Sequence, residues 1–223
     1  MSDLTLIIPA KKEAESLPSV LDELSNYNFK IMIILTKDDL ETINAIKRYN
    51  PNIVYQDNTG YGDALIKGIN SCNTKYFSIF NADGSFDPKE IELMMYSILQ
   101  KDYDLIFGSR YQKGAGSEDD TLVTLVGNYI FTYLGKIFFG LNITDILYTF
   151  VVGKTKETQD LQLKSKDFSL CVELPIKAQR QGLKILSTTS FERKRIGGEK
   201  KVNAFRDGMM ILIKMIKIFF NKE

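Results

Sequence analysis

The residues best suited to chemistry follow an apolar run directly, in the stretch NADGS at positions 81–85. This stretch brings a carboxylate, a carboxamide and a hydroxyl into one turn. Mg²⁺ and Mn²⁺ take oxygen ligands of these kinds and complete their shells with diphosphate oxygens and water. Asp83, Asn81 and Ser85 are therefore candidate metal ligands. The same residues also suit an Asp-Gly turn that caps the helix beginning near Pro88, and the stretch alone favours neither interpretation.

Two other segments have residues that suit phosphate groups. Residues 58–68 (NTGYGDALIKG) place glycines where a strand passes into a helix, so backbone N–H groups can approach a phosphate or ribose; a tight turn is the plainer explanation. Residues 193–201 (RKRIGGEKK) hold five cations around a Gly-Gly pair. Arginine and lysine bind phosphate well, although exposed basic runs are often only solvated surface.

The composition excludes several mechanisms. The chain has no histidine, which excludes imidazole bases, histidine-activated nucleophiles and histidine-ligated zinc. Carboxylates, lysines and arginines must therefore carry any chemistry. The 29 basic and 28 acidic side chains nearly cancel, so the net charge gives no reason to expect nucleic acid as a partner. Cys72 and Cys171 fit no metal or redox spacing, and buried thiols in a reducing cytosol are expected.

The elements that must position these residues alternate between strands and helices. Strands are predicted at residues 5–9, 30–36, 52–56, 76–80 and 105–107, with apolar residues at helical spacing between them. This alternation predicts an α/β fold with a mainly parallel sheet, in one domain over residues 1–223. Ligands of such sheets bind beyond the carboxyl ends of the strands. Function is therefore expected in the polar turns after residues 9, 36, 56 and 80.

The second half of the chain has a different pattern. Residues 112–120 form a Gly- and acid-rich loop that could act as a lid, followed by a helix at 122–141, an apolar run at 146–152, a helix near 172–181 and a strand at 184–188. The N-terminus lacks the features of a signal peptide, so a cytoplasmic protein is expected.

A terminal helix is predicted from residue 202, within an amphipathic segment at 201–223. Residues 209–220 are almost continuously apolar, interrupted by Lys214 and Lys217, and are shorter than the ~20 residues of a membrane span. This helix either lies in a membrane interface, at the inner face of the membrane, or packs on the core or in a homodimer. The aromatic residues of 129–139 leave the same alternatives open.

Taken together, these segments resemble the family 2 glycosyltransferases of GT-A fold, specifically the dolichyl- and polyprenyl-phosphate sugar synthases. The resemblance covers nearly the whole chain and is carried by IIPAKKEAESLP at 7–18, GYGDA at 60–64, NAD at 81–83, GSRY at 108–111 and RIGGEKK at 195–201. It implies a Rossmann-like sheet flanked by helices, a nucleotide-sugar donor, and Mg²⁺ or Mn²⁺ as cofactor. The implied acceptor is a polyprenyl phosphate or a saccharide, in cell-envelope glycan or glycolipid synthesis.

The resemblance also implies functions for individual residues. Glu13 matches the acid that contacts the base or ribose, Arg110 matches an arginine that faces the acceptor phosphate, and the loop with Arg195 and Lys201 would close over the donor diphosphate. After the second strand, Asp38 and Asp39 are both candidates for a nucleotide contact. The expected nucleotide-sugar-binding residues are Pro9, Ala10, Glu13, Asp38, Gly60, Gly62, Asn81 and Ala82. The expected catalytic residues are Asp83, Arg110, Glu173, Arg195 and Lys201.

Three positions depart from the family pattern. Asn81 replaces the first aspartate of an Asp-x-Asp metal motif, Leu125 stands where related enzymes often have a phosphate-binding arginine, and Tyr148-Thr-Phe150 replaces Ser-Gly-Phe. These departures motivate an alternative, a nucleotide-sugar-binding module without activity. A nucleotidyltransferase would need a Gly-rich, basic first turn, which residues 9–13 do not provide.

The reaction implied is a single displacement with inversion at the anomeric carbon. The metal on Asp83 and the cations Arg195 and Lys201 would stabilise charge on the leaving nucleoside diphosphate. A phosphate acceptor is already ionised and needs no general base, whereas a sugar hydroxyl needs one, for which Glu173 and Asp145 are the candidates.

Overall fold

The computed structural model describes residues 3–197 and 203–221. Within these ranges the strands are β1 Leu4–Pro9, β2 Lys30–Leu35, β3 Asn52–Tyr55, β4 Tyr76–Ile79, β5 Leu105–Ser109, β6 Gly116–Ser117, β7 Val151–Lys154, β8 Ile185–Thr189 and β9 Phe191–Glu192. The α-helices are α1 Leu17–Leu24, α2 Leu40–Ile46, α3 Tyr61–Ser71, α4 Pro88–Lys101, α5 Leu122–Phe139, α6 Thr155–Gln159, α7 Leu170–Arg180 and α8 Ala204–Phe219. A short 3₁₀ helix, Lys47–Tyr49, follows α2.

Seven strands form one sheet in the order β3-β2-β1-β4-β7-β5-β8. The pairing is parallel except where β7 runs antiparallel between β4 and β5. In the centre of the sheet, Ile7 of β1 pairs with Met32 of β2 on one side and Ile79 of β4 on the other. The carboxyl ends of these strands therefore meet at one edge, as the mainly parallel prediction requires.

Both faces of the sheet are covered by helices. Leu6 and Ile8 of β1 belong to one apolar cluster, and Ile7 between them belongs to the other. Successive side chains of a strand point to opposite faces, so a strand buried on both faces is apolar at every position. This is why β1, β2 and β4 are recognisable in the sequence as predominantly apolar runs, in which Thr5 and Ser78 are the buried polar exceptions.

The structure refines three sequence predictions in the second half of the chain. Within the apolar run 146–152 only the last residues enter a strand, and that strand, β7, is antiparallel. The proposed lid at 112–120 is not an independent loop, because β6 within it pairs with β9 just after β8. The helix predicted at 122–141 ends earlier, at Phe139, where Gly140 takes a left-handed conformation. Cys72 and Cys171 are buried free thiols, as predicted.

Candidate active site

The turn at residues 81–85 leaves the carboxyl end of β4 and gathers the three candidate ligands into one hydrogen-bonded group. Oδ1 of Asp83 accepts hydrogen bonds from the backbone N of Ser85 at 3.0 Å and from its hydroxyl at 2.7 Å. Nδ2 of Asn81 donates to the same hydroxyl oxygen at 3.2 Å. We call residues 81–85 the metal turn, after the ion that the sequence analysis expects there. Its internal bonds use one oxygen of Asp83, and Oδ2 faces the basic segment described below.

The alternative interpretation of this turn, a helix cap, is excluded for Asp83. The helix α4 begins at Pro88, and its N-cap is Asp87, whose side chain accepts from the backbone N of Lys89 at 2.9 Å. Capping therefore needs no carboxylate from the metal turn.

The donor atoms of the metal turn suit a hard divalent cation that is shared with a substrate. Among residues 3–197 and 203–221, no three histidine, cysteine or carboxylate side chains form a group that could hold a metal ion by themselves. Mg²⁺ and Mn²⁺ are commonly bound by one or two carboxylates together with substrate phosphates and water. One carboxylate with a neighbouring amide and hydroxyl fits that kind of site, and does not fit an all-protein cage.

Residues 193–197, the described part of the basic run, lie across the metal turn. The backbone N of Arg193 donates to the carbonyl of Ser85 and the backbone N of Ile196 to the carbonyl of Asp83, each at 2.8 Å. The Ile196 side chain packs on Gly84, where an added Cβ would lie 2.4 Å from its Cδ1. Only a glycine lets the two segments approach this closely, and Gly84 also has a positive φ of 81°.

The two arginines of this segment point to different places. Arg193 forms a bidentate ion pair with Glu23 of α1, at 2.8 and 2.9 Å, and so anchors the segment. Nη2 of Arg195 lies 3.5 Å from Oδ2 of Asp83 and 3.2 Å from Oδ2 of Asp119. Arg195 is thus the arginine that reaches the metal turn. Lys201 lies outside the described residues.

Asp119 is a residue of the site that the sequence analysis missed. It belongs to the loop that β6 ties to β9, where the backbone N of Glu118 donates to the carbonyl of Glu192 at 2.9 Å. The carboxylate of Glu118 in turn accepts from the backbone N of Lys194 at 3.1 Å. The acidic run SEDD at 117–120 is the only signal in the sequence, and it does not reveal which cation it meets.

The first turn places Glu13 in a buried position after β1. Its backbone N donates to the hydroxyl of Thr42 at 3.0 Å, and its Oε2 accepts from the hydroxyl of Ser16 at 2.7 Å.

Ala10 is also buried and donates its backbone N to the carbonyl of Ile34 at 2.8 Å, while Pro9 ends the strand. These residues, like Ala82 in the metal turn, lie at the carboxyl edge of the sheet, where the sequence analysis expected a nucleotide.

The structure distinguishes the two aspartates after β2. Asp39 caps α2, accepting from the backbone N of Thr42 at 3.3 Å, and its other oxygen accepts from the backbone N of Lys12 at 2.7 Å. Asp38 is exposed, and a hydrogen bond from the Thr36 side chain lowers the pKa of its carboxyl group. Because Asp39 is occupied by the backbone, Asp38 is the carboxylate available to a ligand.

Gly60 and Gly62 face protein backbone at short range. A Cβ on Gly60 would lie 2.1 Å from the carbonyl oxygen of Lys166, and one on Gly62 would lie 2.2 Å from that of Ser165. The backbone N of Asp63 also donates to the Lys166 carbonyl at 3.0 Å. Residues 165–167, together with the positive φ of 128° at Gly60, therefore explain the absence of side chains at both glycines, and their contact with a nucleotide stays a prediction.

Glu173, expected as a catalytic residue, is fully buried in a structural network. Its carboxylate accepts from the backbone N of Lys164 at 3.0 Å and of Ser165 at 2.7 Å, and it pairs with Lys177 at 2.7 Å and Lys214 at 3.4 Å. Burial raises the pKa of Glu173, but the hydrogen bonds from Lys177 and Ser165 outweigh it and leave the pKa lowered. A carboxylate held in this way is a weak base, and the geometry favours a function in fixing residues 165–167.

Arg110 is held between two carboxylates. Its Nε and Nη2 donate to the two oxygens of fully buried Asp145 at 2.8 and 3.0 Å, and its Nη1 donates to Glu192 at 3.1 Å. The guanidinium carbon lies 4.6 Å from the ring centroid of Tyr148. Both oxygens of Asp145 are thus engaged by one arginine, which does not suit a general base. Arg110 itself is 11% exposed, so an acceptor phosphate would meet little of it.

The fold and this site define a class of protein. A mainly parallel sheet with a metal turn at the end of β4 and a basic segment across it is the arrangement of the nucleotide-sugar-dependent glycosyltransferases of GT-A fold. The family model described as Glycosyl transferase family 2 matches residues 5–160. The chain belongs to this family, and it is a glycosyltransferase.

Several known proteins are similar to this chain. An uncharacterized glycosyltransferase of Mycobacterium tuberculosis is 26% identical over 94% of each chain. The UDP-N-acetylglucosamine–dolichyl-phosphate N-acetylglucosaminyltransferase of Methanococcus voltae is 26% identical over 81% of each chain. Glucosyl-3-phosphoglycerate synthase from M. tuberculosis, in complex with Mn²⁺, UDP and phosphoglyceric acid, has a TM-score of 0.75 at 12% identity, over 98% of this chain and 78% of that one. The last similarity shows the fold alone.

Proposed function

We propose that this glycosyltransferase moves a hexosyl group, with inversion, from a nucleoside-diphosphate sugar to a phosphorylated acceptor of the polyprenyl-phosphate type. The observation that carries the choice of acceptor is the state of the two candidate bases. Asp145 is engaged through both oxygens by Arg110, and Glu173 by two backbone N–H groups and two lysines. An ionised phosphate needs no base, whereas a saccharide hydroxyl does. The M. voltae relative, whose name gives dolichyl phosphate as its acceptor, supports the same choice.

In this reaction a phosphate oxygen of the acceptor forms a bond to the anomeric carbon while the bond from that carbon to the donor diphosphate breaks. A Mg²⁺ or Mn²⁺ ion held by Asp83, with Asn81 and Ser85, would neutralise charge on the leaving diphosphate. Arg195 would supply further positive charge there. Lys201, expected from the sequence to act with it, lies outside the described residues. On the nucleotide side, Glu13 and Asp38 would contact polar groups of the base and ribose, beside Pro9, Ala10 and Ala82.

Release of nucleoside diphosphate tests the proposal. A panel of nucleotide-sugars is incubated with Mn²⁺ or Mg²⁺ and a short-chain polyprenyl phosphate or a saccharide, using the wild type and Asp83→Asn. We expect turnover with one donor and the phosphate acceptor, and a loss of at least about a hundredfold in Asp83→Asn. Asp160→Asn, a change at an exposed aspartate that pairs with Lys156 of the same helical turn, is the matched control.

The results also separate the alternatives. If the protein binds a nucleotide-sugar but turns over no donor with either acceptor, it is the binding module that Asn81 suggests. If a saccharide is glycosylated and polyprenyl phosphate is not, the argument from the engaged bases is wrong.

We further propose that α5 and α8 together rest on the membrane surface. Among the described residues, only α5 has the length and hydropathy of a membrane span, and only 11% of it is buried. Apolar side chains are exposed along both helices: Leu122, Val123, Val126, Tyr129, Ile130, Tyr133, Ile137 and Phe138, then Phe205, Met209, Leu212, Ile213, Ile216 and Phe219. A groove of about 240 Å³ between the helices is lined by apolar side chains. Exposed apolar area of this extent marks an interaction surface.

The charges on these helices favour an anionic bilayer over a second copy of the chain. The exposed cations of the two helices are Lys136, Arg206 and Lys217, against a single acid, Asp207, whereas Lys214 is paired with buried Glu173. Cations beside an apolar face are attracted to anionic lipids, and they would repel one another in a symmetric pair.

Co-sedimentation with phosphatidylglycerol and phosphatidylcholine vesicles tests this surface. We expect pelleting with phosphatidylglycerol that falls severalfold in Val126→Asp and Ile213→Asp. Leu93→Asp, which changes an exposed leucine of α4, is the control and should pellet like the wild type. Equal pelleting of all variants refutes the membrane surface, and a dimer in sedimentation velocity that the same variants dissociate assigns the face to a second copy.

A further inference from the structure

Arg195 lies between two carboxylates at the metal turn. Its Nη2 is 3.5 Å from Oδ2 of Asp83 and 3.2 Å from Oδ2 of Asp119, and the three side chains are 22%, 13% and 20% exposed. Arg195 therefore neutralises the same oxygen that a divalent cation would use. We propose that Arg195 is the internal counterion of Asp83 in the donor-free protein, and that Asp119 is a positioning residue that competes with Asp83 for it. This inference rests on the proposed metal site.

The hydrogen bonds of Asp83 make this competition effective. Its Oδ1 already accepts two hydrogen bonds from Ser85, so Oδ2 is the oxygen left for either Arg195 or a metal ion. A free divalent cation must displace the guanidinium and meets it as a like charge. A cation that arrives with a diphosphate brings negative charge, to which Arg195 can transfer through its bidentate fork. Metal and nucleotide binding are thereby positively coupled.

The backbone keeps Arg195 within reach of all three partners. Ile196, the next residue, donates its backbone N to the carbonyl of Asp83, and Arg193 donates to the carbonyl of Ser85. The guanidinium can therefore turn from Asp83 to a diphosphate while the segment stays in place.

Asp119 adjusts the balance between these partners. It reaches Arg195 from the loop that β6 joins to β9, a separate element from the metal turn. A second carboxylate on the guanidinium weakens its hold on Asp83, because the positive charge is shared. Removing Asp119 should therefore strengthen the ion pair between Arg195 and Asp83. The affinity for a metal ion in the absence of nucleotide should then fall.

Manganese binding measures both effects without an activity assay. Free Mn²⁺ is followed by electron paramagnetic resonance in titrations of the folded full chain, with and without UDP. Arg195→Gln should bind Mn²⁺ alone about three- to tenfold more tightly than the wild type, and it should bind UDP in the presence of Mn²⁺ about tenfold more weakly. These opposite signs are not expected of a variant that merely loosens the site. Arg195→Lys keeps the charge and should bind Mn²⁺ alone like the wild type.

The double variant isolates Asp119. Asp119→Asn should weaken Mn²⁺ binding about twofold, and this effect should disappear when Arg195→Gln is also present, because Asp119 acts through Arg195. Arg180→Gln, an exposed arginine that donates to Asn221 at the end of α8, is the control.

The outcomes separate this inference from the proposed function. The proposal that Arg195 is the counterion of Asp83 is wrong if Arg195→Gln binds Mn²⁺ as the wild type does or more weakly. It is also wrong if Asp119→Asn has the same effect in the wild type and in Arg195→Gln. If the wild type binds UDP with Mn²⁺ and Asp83→Asn does not, the proposed metal site is supported, whatever the Arg195 and Asp119 variants show. If neither the wild type nor any variant binds Mn²⁺, with or without UDP, the counterion proposal and the proposed metal site are both wrong.

Discussion

Replacing Glu173 by glutamine distinguishes a structural carboxylate from a catalytic base. The substitution keeps the shape of the side chain and removes its charge. In the folded protein this carboxylate is fully buried, accepts from the backbone N of Lys164 and Ser165, and pairs with Lys177 and Lys214. We expect Glu173→Gln to destabilise the fold and to affect activity only through residues 165–167.

The size of the effect follows from these partners. A glutamine retains one oxygen, so its Nε2 faces one of the two backbone N–H groups as donor against donor, leaving that group unsatisfied at a cost of about 1–3 kcal/mol. Two partly buried lysines also lose their shared countercharge, and breaking a buried pair on one side costs about 3–5 kcal/mol. Since the lysines keep some access to water, we expect Glu173→Gln to lower the free energy of unfolding by about 3 kcal/mol in total. In a chain of this size that loss lowers Tm by about 6–12 °C.

The same network predicts a dependence on pH. The pKa of Glu173 is lower in the folded protein than its usual value. Its contribution to stability is therefore fully present above the unfolded pKa of ~4.3 and is lost as the pH falls through the folded pKa. The stability difference between the wild type and Glu173→Gln should be largest near neutral pH and should shrink in acid.

Thermal and urea unfolding between pH 3 and 8, together with nucleoside diphosphate release, test this reasoning. Glu92→Gln, a change at an exposed position of α4, serves as the matched control. A positioning function predicts a large fall in Tm and a rise in KM for the donor, because residues 165–167 face Gly60 and Gly62. An unchanged Tm with a fall in kcat of about a hundredfold or more would refute it and restore Glu173 as a base.

Three further substitutions test the site. Gly62→Ala should lower Tm by several degrees in thermal unfolding, because its Cβ would lie 2.2 Å from the Ser165 carbonyl oxygen and residues 165–167 must move; an unchanged Tm would contradict this contact. Asn81→Asp adds a second carboxylate to the metal turn and should tighten Mn²⁺ binding in the presence of UDP about tenfold by calorimetry, and no change would remove Asn81 from the ligand set. Asp145→Asn removes the fully buried one of the two carboxylates that pair with Arg110 and leaves Glu192, so it should cost about 3 kcal/mol in urea unfolding, whereas a cost below about 1 kcal/mol would show that the Arg110–Asp145 pair is dispensable.

Much of the fold was predictable because its strands are buried on both faces. A strand such as β1 is then apolar at every position except Thr5, and the polar turn after it is easily recognised. The same reasoning located the metal turn after β4, and the order of motifs along the chain identified the family. The antiparallel β7 was missed because an apolar run does not show its direction or the residue at which a strand begins.

The pairings of the carboxylates were not predictable in the same way. Asp38 and Asp39 are adjacent and chemically alike, and only the position of α2 decides that Asp39 is its cap. Asp145 and Glu173 looked equally suitable as bases, because a sequence does not show which cations or backbone N–H groups will be buried beside a carboxylate.

The sequence by itself determined the family, the α/β sheet and the polar turn that holds Asp83, since these depend on local patterns of apolar and polar residues. Only the tertiary structure decided which charges meet. Arg110 finds Asp145 35 residues away, and Arg195 is brought to Asp119 76 residues before it. The energy of a charge depends on its burial and on its neighbours in space, and both are properties of the folded chain.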